Sequence, residues 1–286
     1  MIYHRLCRFS PRYLLLPLTL AVAPIAGADT VTLLPAADST MYQGSDTRSN
    51  GAGEHLFVGR TDESRLRRGL IRFDLSAVPT GSTITSATLT MWVSRTRGPS
   101  TGVALHRALA AWGEAGSNAA EEEGEGGTAQ PGDATWSHRL FNTSTWTTLG
   151  GDFTATASAT TNVAGENSSY SWSAAGVGAD VQAWVNTPAS NFGWVMRGNE
   201  TSDMTAKRFD TKENSTAQNR PRLVVVFTPP VTCRADFNAD GAANSQDFFD
   251  FLSAFFAATP EADFNDDGSI NSQDFFDFLV AFFAGC

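Results

Sequence analysis

Ala87-Thr88-Leu89-Thr90-Met91-Trp92-Val93 sets apolar Ala87, Leu89, Met91 and Val93 against Thr88, Thr90 and Trp92. Successive side chains of a strand point to opposite faces, so this period of two predicts a half-buried β-strand with one face on a core. Leu70-Ile71-Arg72-Phe73-Asp74-Leu75 and Phe192-Gly193-Trp194-Val195-Met196 alternate likewise. Arg222-Leu223-Val224-Val225-Val226-Phe227 is apolar on both faces, as a central strand can be. Gly, Ser, Thr, Asn and Pro punctuate the chain between these runs. One stretch departs from the pattern: Val177, Val181, Trp184 and Val185 recur at helical spacing and stop before Pro188. Many short strands with one helix predict a mainly β domain over residues 29–228, an antiparallel, jelly-roll-like β-sandwich.

Beyond a short linker at 229–232 the chain writes one pattern twice. Asp236, Asn238, Asp240, Asn244 and Asp247 stand at positions 1, 3, 5, 9 and 12 of a twelve-residue stretch, and Asp263, Asn265, Asp267, Asn271 and Asp274 repeat those offsets. Gly241 and Gly268 occupy position 6, where such a loop turns sharply, while Ala242 and Ser269 at position 7 need offer only a backbone carbonyl. A hard cation of calcium's size takes six or seven oxygens, and this spacing supplies them. The duplication predicts two structural calcium ions; the competing explanation is an Asx-rich turn that only caps a helix. An apolar helix follows each loop, but none precedes it: Pro229-Pro230 leads into the first and Ala258-Thr259-Pro260 into the second.

The N-terminus reads as a signal peptide over residues 1–28. Arg5, Arg8 and Arg12 precede an apolar run from Tyr13 to Ile25, and Ala26-Gly27-Ala28 offers a small-x-small cleavage site. The run is short and broken by Pro17 and Pro24, which argues against a retained anchor. The formal net charge of −10 is concentrated in residues 234–286, which set ten acids against Arg234 alone. Nucleic-acid binding is disfavoured on that balance. Once Cys7 leaves with the signal, Cys233 and Cys286 bracket the duplicated segment, a pairing an oxidising compartment would turn into a disulfide. Residues 119–132 form a Gly/Glu-rich insertion with Glu121, Glu122, Glu123 and Glu125, expected as a solvated loop with a further calcium site as the alternative.

Two family resemblances rest on these residues. Arg67-Arg68-Gly69-Leu70-Ile71-Arg72-Phe73-Asp74-Leu75-Ser76, followed by Ile84-Thr85-Ser86-Ala87-Thr88-Leu89, resembles the opening of DNRLRE domains, which are related to family-96 carbohydrate-binding modules. Ala206-Lys207-Arg208-Phe209 and Pro221-Arg222-Leu223-Val224-Val225 resemble that family's closing strands, although the literal string that names the family is absent. The likeness implies an extracellular β-sandwich, with glycan binding in some members. Residues 233–286, with a Cys before the first loop and a Gly285-Cys286 end, resemble a GC-type dockerin. That likeness implies attachment to a cohesin-like surface scaffold, with positions 10 and 11 of each loop, here Ser245-Gln246 and Ser272-Gln273, helping to choose the partner.

In the two tail helices Phe248, Phe251, Leu252 and Phe255, then Phe275, Phe278, Leu279 and Phe282, follow i, i+3, i+4, i+7 and are expected to form the tail's core. Phe249, Phe256, Phe276 and Phe283 are left over, and surplus apolar surface on so small a module points to a partner site. All seven tryptophans lie before residue 229. Trp184 and Trp194 fall on core faces, whereas Trp92, on a face with Thr88, Thr90 and Ser94, and Trp136, Trp146 and Trp172, set among polar residues, are the candidate sugar platforms. His55, His106 and His138 stand in no nucleophile or metal motif, so no catalytic residue is assigned. The expected function is a secreted, non-catalytic protein that binds polysaccharide and is anchored by its tail. Two other classes stay open: a structural or adhesive surface protein without sugar binding, and a small polysaccharide lyase or hydrolase.

Overall fold

The computed structural model describes residues 27–230 and 233–285. Most of the signal-peptide reading, and Cys286, therefore lie outside the described residues. The chain divides into two compact units, one within Ala26–Pro230 and the other within Val231–Cys286.

The first unit is mainly β. Its principal sheet has eleven strands: β1 (Asp29–Leu33), β2 (Pro35–Tyr42), β3 (His55–Arg60), β4 (Leu66–Phe73), β5 (Thr83–Thr96), β6 (Thr101–Arg107), β7 (Ala159–Val163), β8 (Ser168–Trp172), β9 (Trp194–Arg197), β10 (Lys207–Asp210) and β11 (Arg222–Thr228). The order is β1-β11-β5-β10-β3-β4-β9-β6-β7, with β8 added on β5 and β2 on β4, and every named pairing is antiparallel. The sheet curls so that its two ends face each other. Trp172 on β8 donates its Nε1–H to the Val103 carbonyl on β6 at 2.7 Å, although the two strands lie far apart in the order.

The alternation on β5 puts one of its faces on the core inside the curl. Ala87, Leu89, Met91 and Val93 are all buried and meet Ile71, Phe73, Leu105, Phe209, Leu223 and Val225 in one core. On β11 only Leu223, Val225 and Phe227 are buried; Val224 and Val226 are half-buried, so the strand is less two-sided than its composition predicts. The helix expected before Pro188 is α1 (Ala175–Asn186), whose Val177, Val181, Trp184 and Val185 complete this core. Gln182 pins it to the start of β5, accepting from the Ile84 amide at 2.8 Å and donating to the Ser82 carbonyl at 3.0 Å. Trp184 and Trp194 pack edge to face at 4.7 Å.

A second core lies on the other face of β2, β4 and β9. There Met41, Leu70 and Val195 are covered by Trp112, Trp136 and Trp146 from the long excursion between β6 and β7. Leu70 and Ile71 thus serve different cores, as the two faces of a strand require. Gly193 enters β9 with φ +72°, and a Cβ there would come 2.1 Å from the Ile71 carbonyl oxygen, so only glycine fits this close approach.

The second unit holds α2 (Ser245–Ala257) and α3 (Ser272–Ala284). Each starts at an asparagine, Asn244 or Asn271, whose side chain accepts from the helix's early amides, while Asp247 or Asp274 bonds back to that asparagine's own amide. Phe251 and Phe278 are fully buried and stack at 4.1 Å with rings nearly parallel. Phe237 and Phe264, from position 2 of each loop, close that stack edge-on at 5.5 Å each, giving the core a two-fold likeness. The helical stripe did not point to these two loop residues; their identity at equal loop positions was the signal. Cys233 is disulfide-bonded.

Candidate functional site

Of the four tryptophans expected as sugar platforms, three have no open face. Trp172 is fully buried with its indole N–H committed to Val103, and Trp136 and Trp146 belong to the second core. Trp146 donates to the Thr135 carbonyl at 3.0 Å, and the Arg68 guanidinium lies 4.9 Å over the Trp136 ring. The polar neighbours in sequence misled because the excursion carrying these residues folds back over the sheet. Trp92 alone stays half-exposed, on the outer face of β5.

The duplicated loops are built alike. In the first, Asp240 N–H is shared by Asp236 Oδ1 and Asn238 Oδ1, both at 2.9 Å, and Gly241 N–H donates to Asp236 Oδ2 at 2.7 Å. In the second, Asp267 and Gly268 amides repeat those bonds to Asp263 and Asn265. Gly241 and Gly268 have φ of +96° and +83°, the left-handed turn that position 6 demands. Asp247 and Asp274 are buried, each accepting from two loop amides. Those backbone hydrogen bonds, first from Asn244 and Asn271, hold both carboxyls below their ordinary value. Among the described residues, the loop aspartates do not come within 4.8 Å of one another as a group of three. Ser245, Gln246, Ser272 and Gln273 are exposed, and the two glutamines bond equivalently to Asp250 and Asp277. Phe249, Phe256, Phe276 and Phe283 are 59%, 81%, 57% and 81% exposed, so the side chains outside the helical stripe face away from the tail's core.

The β-rich unit carries a cleft of about 190 Å³ lined by Phe57, Arg60, Arg67, Arg95, Arg97, Lys207 and Arg208, with Asp62, Glu63, Glu122 and Glu125 among its other walls. Three adjacent strands build its floor. Phe57 on β3 pairs with Arg208 on β10, which pairs with Arg95 on β5, so the three side chains share the outer face. An irregularity in the β5–β10 ladder next to that pairing, where Phe209 partners Val93 rather than Ser94, brings Arg95 onto the face that Trp92 occupies. Arg95 and Arg208 share one oxygen of Glu122, Oε2. Lys207 is fully buried, and its Nζ donates to the Arg97 and Pro99 carbonyls at 2.9 and 3.0 Å. Burial pushes its ammonium below the ordinary lysine value. Among the described residues, neither Lys207 nor Arg97 makes an ion pair. Six basic side chains line the cleft against four acids, and Asp203 pairs with Arg60 at 2.7 Å beside it, which still leaves a positive recess in a chain of net charge −10.

Residues 29–120 match carbohydrate-binding module family 96. The match runs from β1 through β6 and into the excursion, and contains Phe57, Arg60, Arg67, Arg95 and Arg97. It supports a carbohydrate-binding-module-like domain, and modules of this kind bind without catalysis. None of the curated proteins matches the chain. The insertion at 119–132 is less solvated than its composition suggests. Glu123 is buried, accepting from Asn50 Nδ2 and from the amides of Glu54 and His55, and Tyr42 Oη donates to its carbonyl. Glu122, Gly124 and Glu125 of this stretch form one wall of the cleft. The histidines are dispersed: His55 pairs with Asp210, His106 with the Thr154 carbonyl and His138 with Ser137. Among the described residues no helix is long and apolar enough to cross a membrane.

Proposed function

We propose that the chain is a secreted, non-catalytic polysaccharide-binding protein, its β-sandwich holding an acidic glycan in the arginine-lined cleft and its tail attaching it to a surface scaffold. The observation that carries the reading is the positive recess built within and beside the family-96 match. Guanidinium groups bind sugar carboxylates or sulfates in bidentate fashion, and the half-exposed rings of Phe57 and Trp92 lie on the same face. Affinity electrophoresis through neutral and acidic polysaccharides tests it. Retardation by an acidic polymer is expected, falling about tenfold in affinity in Arg97→Ala, a loss of about 1.4 kcal/mol. Retardation by no polymer, or equal retardation of the Arg97→Ala chain, sinks the cleft assignment.

For the tail, the repeated oxygen donors and positive-φ glycines fit calcium. Asp236, Asn238, Asp240, the Ala242 carbonyl, Asn244 and Asp247 would hold one ion, and Asp263, Asn265, Asp267, the Ser269 carbonyl, Asn271 and Asp274 the other. The ion's role there is structural, offsetting clustered carboxylates that otherwise repel. The dockerin-like reading makes Phe249, Phe256, Phe276 and Phe283, beside the two Ser-Gln pairs, the surface offered to a cohesin-like partner, with a Cys233–Cys286 disulfide closing the module.

A further inference from the structure

The acidic side chains that the fold gathers most tightly lie in neither duplicated loop. Asp38 on β2, Glu114 in the excursion after β6 and Glu213 in the turn after β10 bring carboxylate oxygens within 4.8 Å of one another. They are distant in sequence, so only the folded sheet assembles them. We propose that these three residues form a calcium site in the β-rich unit, separate from the tail loops.

Asp38 is fully buried. Its Oδ2 accepts from the Lys212 amide at 2.9 Å, but its Oδ1 has no hydrogen-bond partner, and neither has the buried Oε2 of Glu213. Buried polar atoms are almost always satisfied, so two orphan oxygens in one acidic cluster mark a missing positive partner. The remaining oxygens are already committed. Glu114 Oε1 accepts from the Asp38 amide at 2.9 Å, its Oε2 pairs with Lys212 Nζ at 3.1 Å, and Glu213 Oε1 meets the same ammonium. Three carboxylates thus face one ammonium, an excess of two negative charges that a divalent cation cancels.

The donor set is all oxygen, which selects a hard cation over zinc or copper. The carboxylates are fixed by three separate backbone segments, and calcium accepts such irregular geometry, whereas magnesium demands a near-ideal octahedron and gives up its waters reluctantly. In the acidic insertion, by contrast, Glu123 is clasped by amides and Glu122 by two arginines.

The full chain with Asp236→Ala, Asp240→Ala, Asp263→Ala and Asp267→Ala, which disables both tail loops, isolates the site. Equilibrium dialysis against CaCl₂ is expected to find one ion per chain, and adding Glu213→Gln is expected to remove it. No bound calcium in the loop-disabled chain overturns the proposal. All seven tryptophans lie in the β-rich unit, so tryptophan fluorescence follows that unit's melting alone. With calcium at about a hundred times its dissociation constant, the melting point should rise by about 5–10 °C over the EGTA sample, and the rise should vanish in Glu213→Gln. A rise that survives Glu213→Gln refutes the site, and an equal rise with MgCl₂ refutes its assignment to calcium.

Discussion

Replacing Glu200 by glutamine tests whether the second core is locked electrostatically. Glu200 follows β9 and receives both arginines that border that core. Arg68 Nε and Nη2 donate to its two oxygens at 2.7 and 3.0 Å, and Arg197 Nη2 donates at 2.7 Å. Arg68 is further held by the Gly150 carbonyl at 2.8 Å and stands over the rings of Trp136 and Phe153. Burial alone would raise the Glu200 carboxyl, but the hydrogen bonds and charges of the two arginines outweigh it and take it from 4.5 to about 2. The unfolded chain therefore binds more protons between these two values, and stability rises with pH across that window. The carboxylate's contribution is complete above pH 4.5 and is lost as pH falls through about 2. Converting the shift gives about 3 kcal/mol at pH 7, declining to about 2 kcal/mol at pH 3.5. Both side chains of the Arg68–Glu200 pair are nearly buried, 11% and 14% exposed, so solvent screening is small. Urea unfolding followed by tryptophan fluorescence should show Glu200→Gln less stable by about that amount at pH 7, with the gap narrowing at pH 3.5. A loss below about 0.5 kcal/mol, or a gap that does not change with pH, refutes the reasoning.

Phe251→Ala removes one ring of the parallel stack at the centre of the tail and should cost about 3–5 kcal/mol, as much as so small a module has to lose. Helical circular dichroism at 222 nm should then lose the tail's contribution at 25 °C while the tryptophan-detected transition stays in place; a full helical signal rules the packing argument out. Trp172→Phe keeps a buried ring but leaves the Val103 carbonyl without its 2.7 Å donor, which should cost about 1–3 kcal/mol in the tryptophan-detected transition. Polysaccharide retardation by the folded Trp172→Phe protein should equal that of the parent, and a selective loss of binding would return Trp172 to the sugar site.

Elements with an unbroken local period were legible from the sequence. Ala87 to Val93 lies inside β5, and the helical spacing of Val177, Val181, Trp184 and Val185 lies inside α1, because each stretch presents one apolar face to one core. Trp136 and Trp146 were misplaced for a physical reason. Their burial depends on the excursion folding back onto Met41, Leu70 and Val195, a contact that no spacing within the excursion encodes. The arginine-lined cleft leaves no such trace either, since Phe57, Arg95 and Arg208 meet only through strand register.

The sequence by itself determined the mainly β character of the first unit, its one α-helix, and the duplicated loop with its oxygen side chains at the same offsets, all of which follow from spacing over a dozen residues or fewer. Tertiary structure alone decided which tryptophans keep an open face, where positive charge collects in an acidic chain, and that Asp38, Glu114 and Glu213 meet. Each of those outcomes depends on which strand lies beside which, and hydrogen-bonded register between distant segments leaves no periodic trace in the chain.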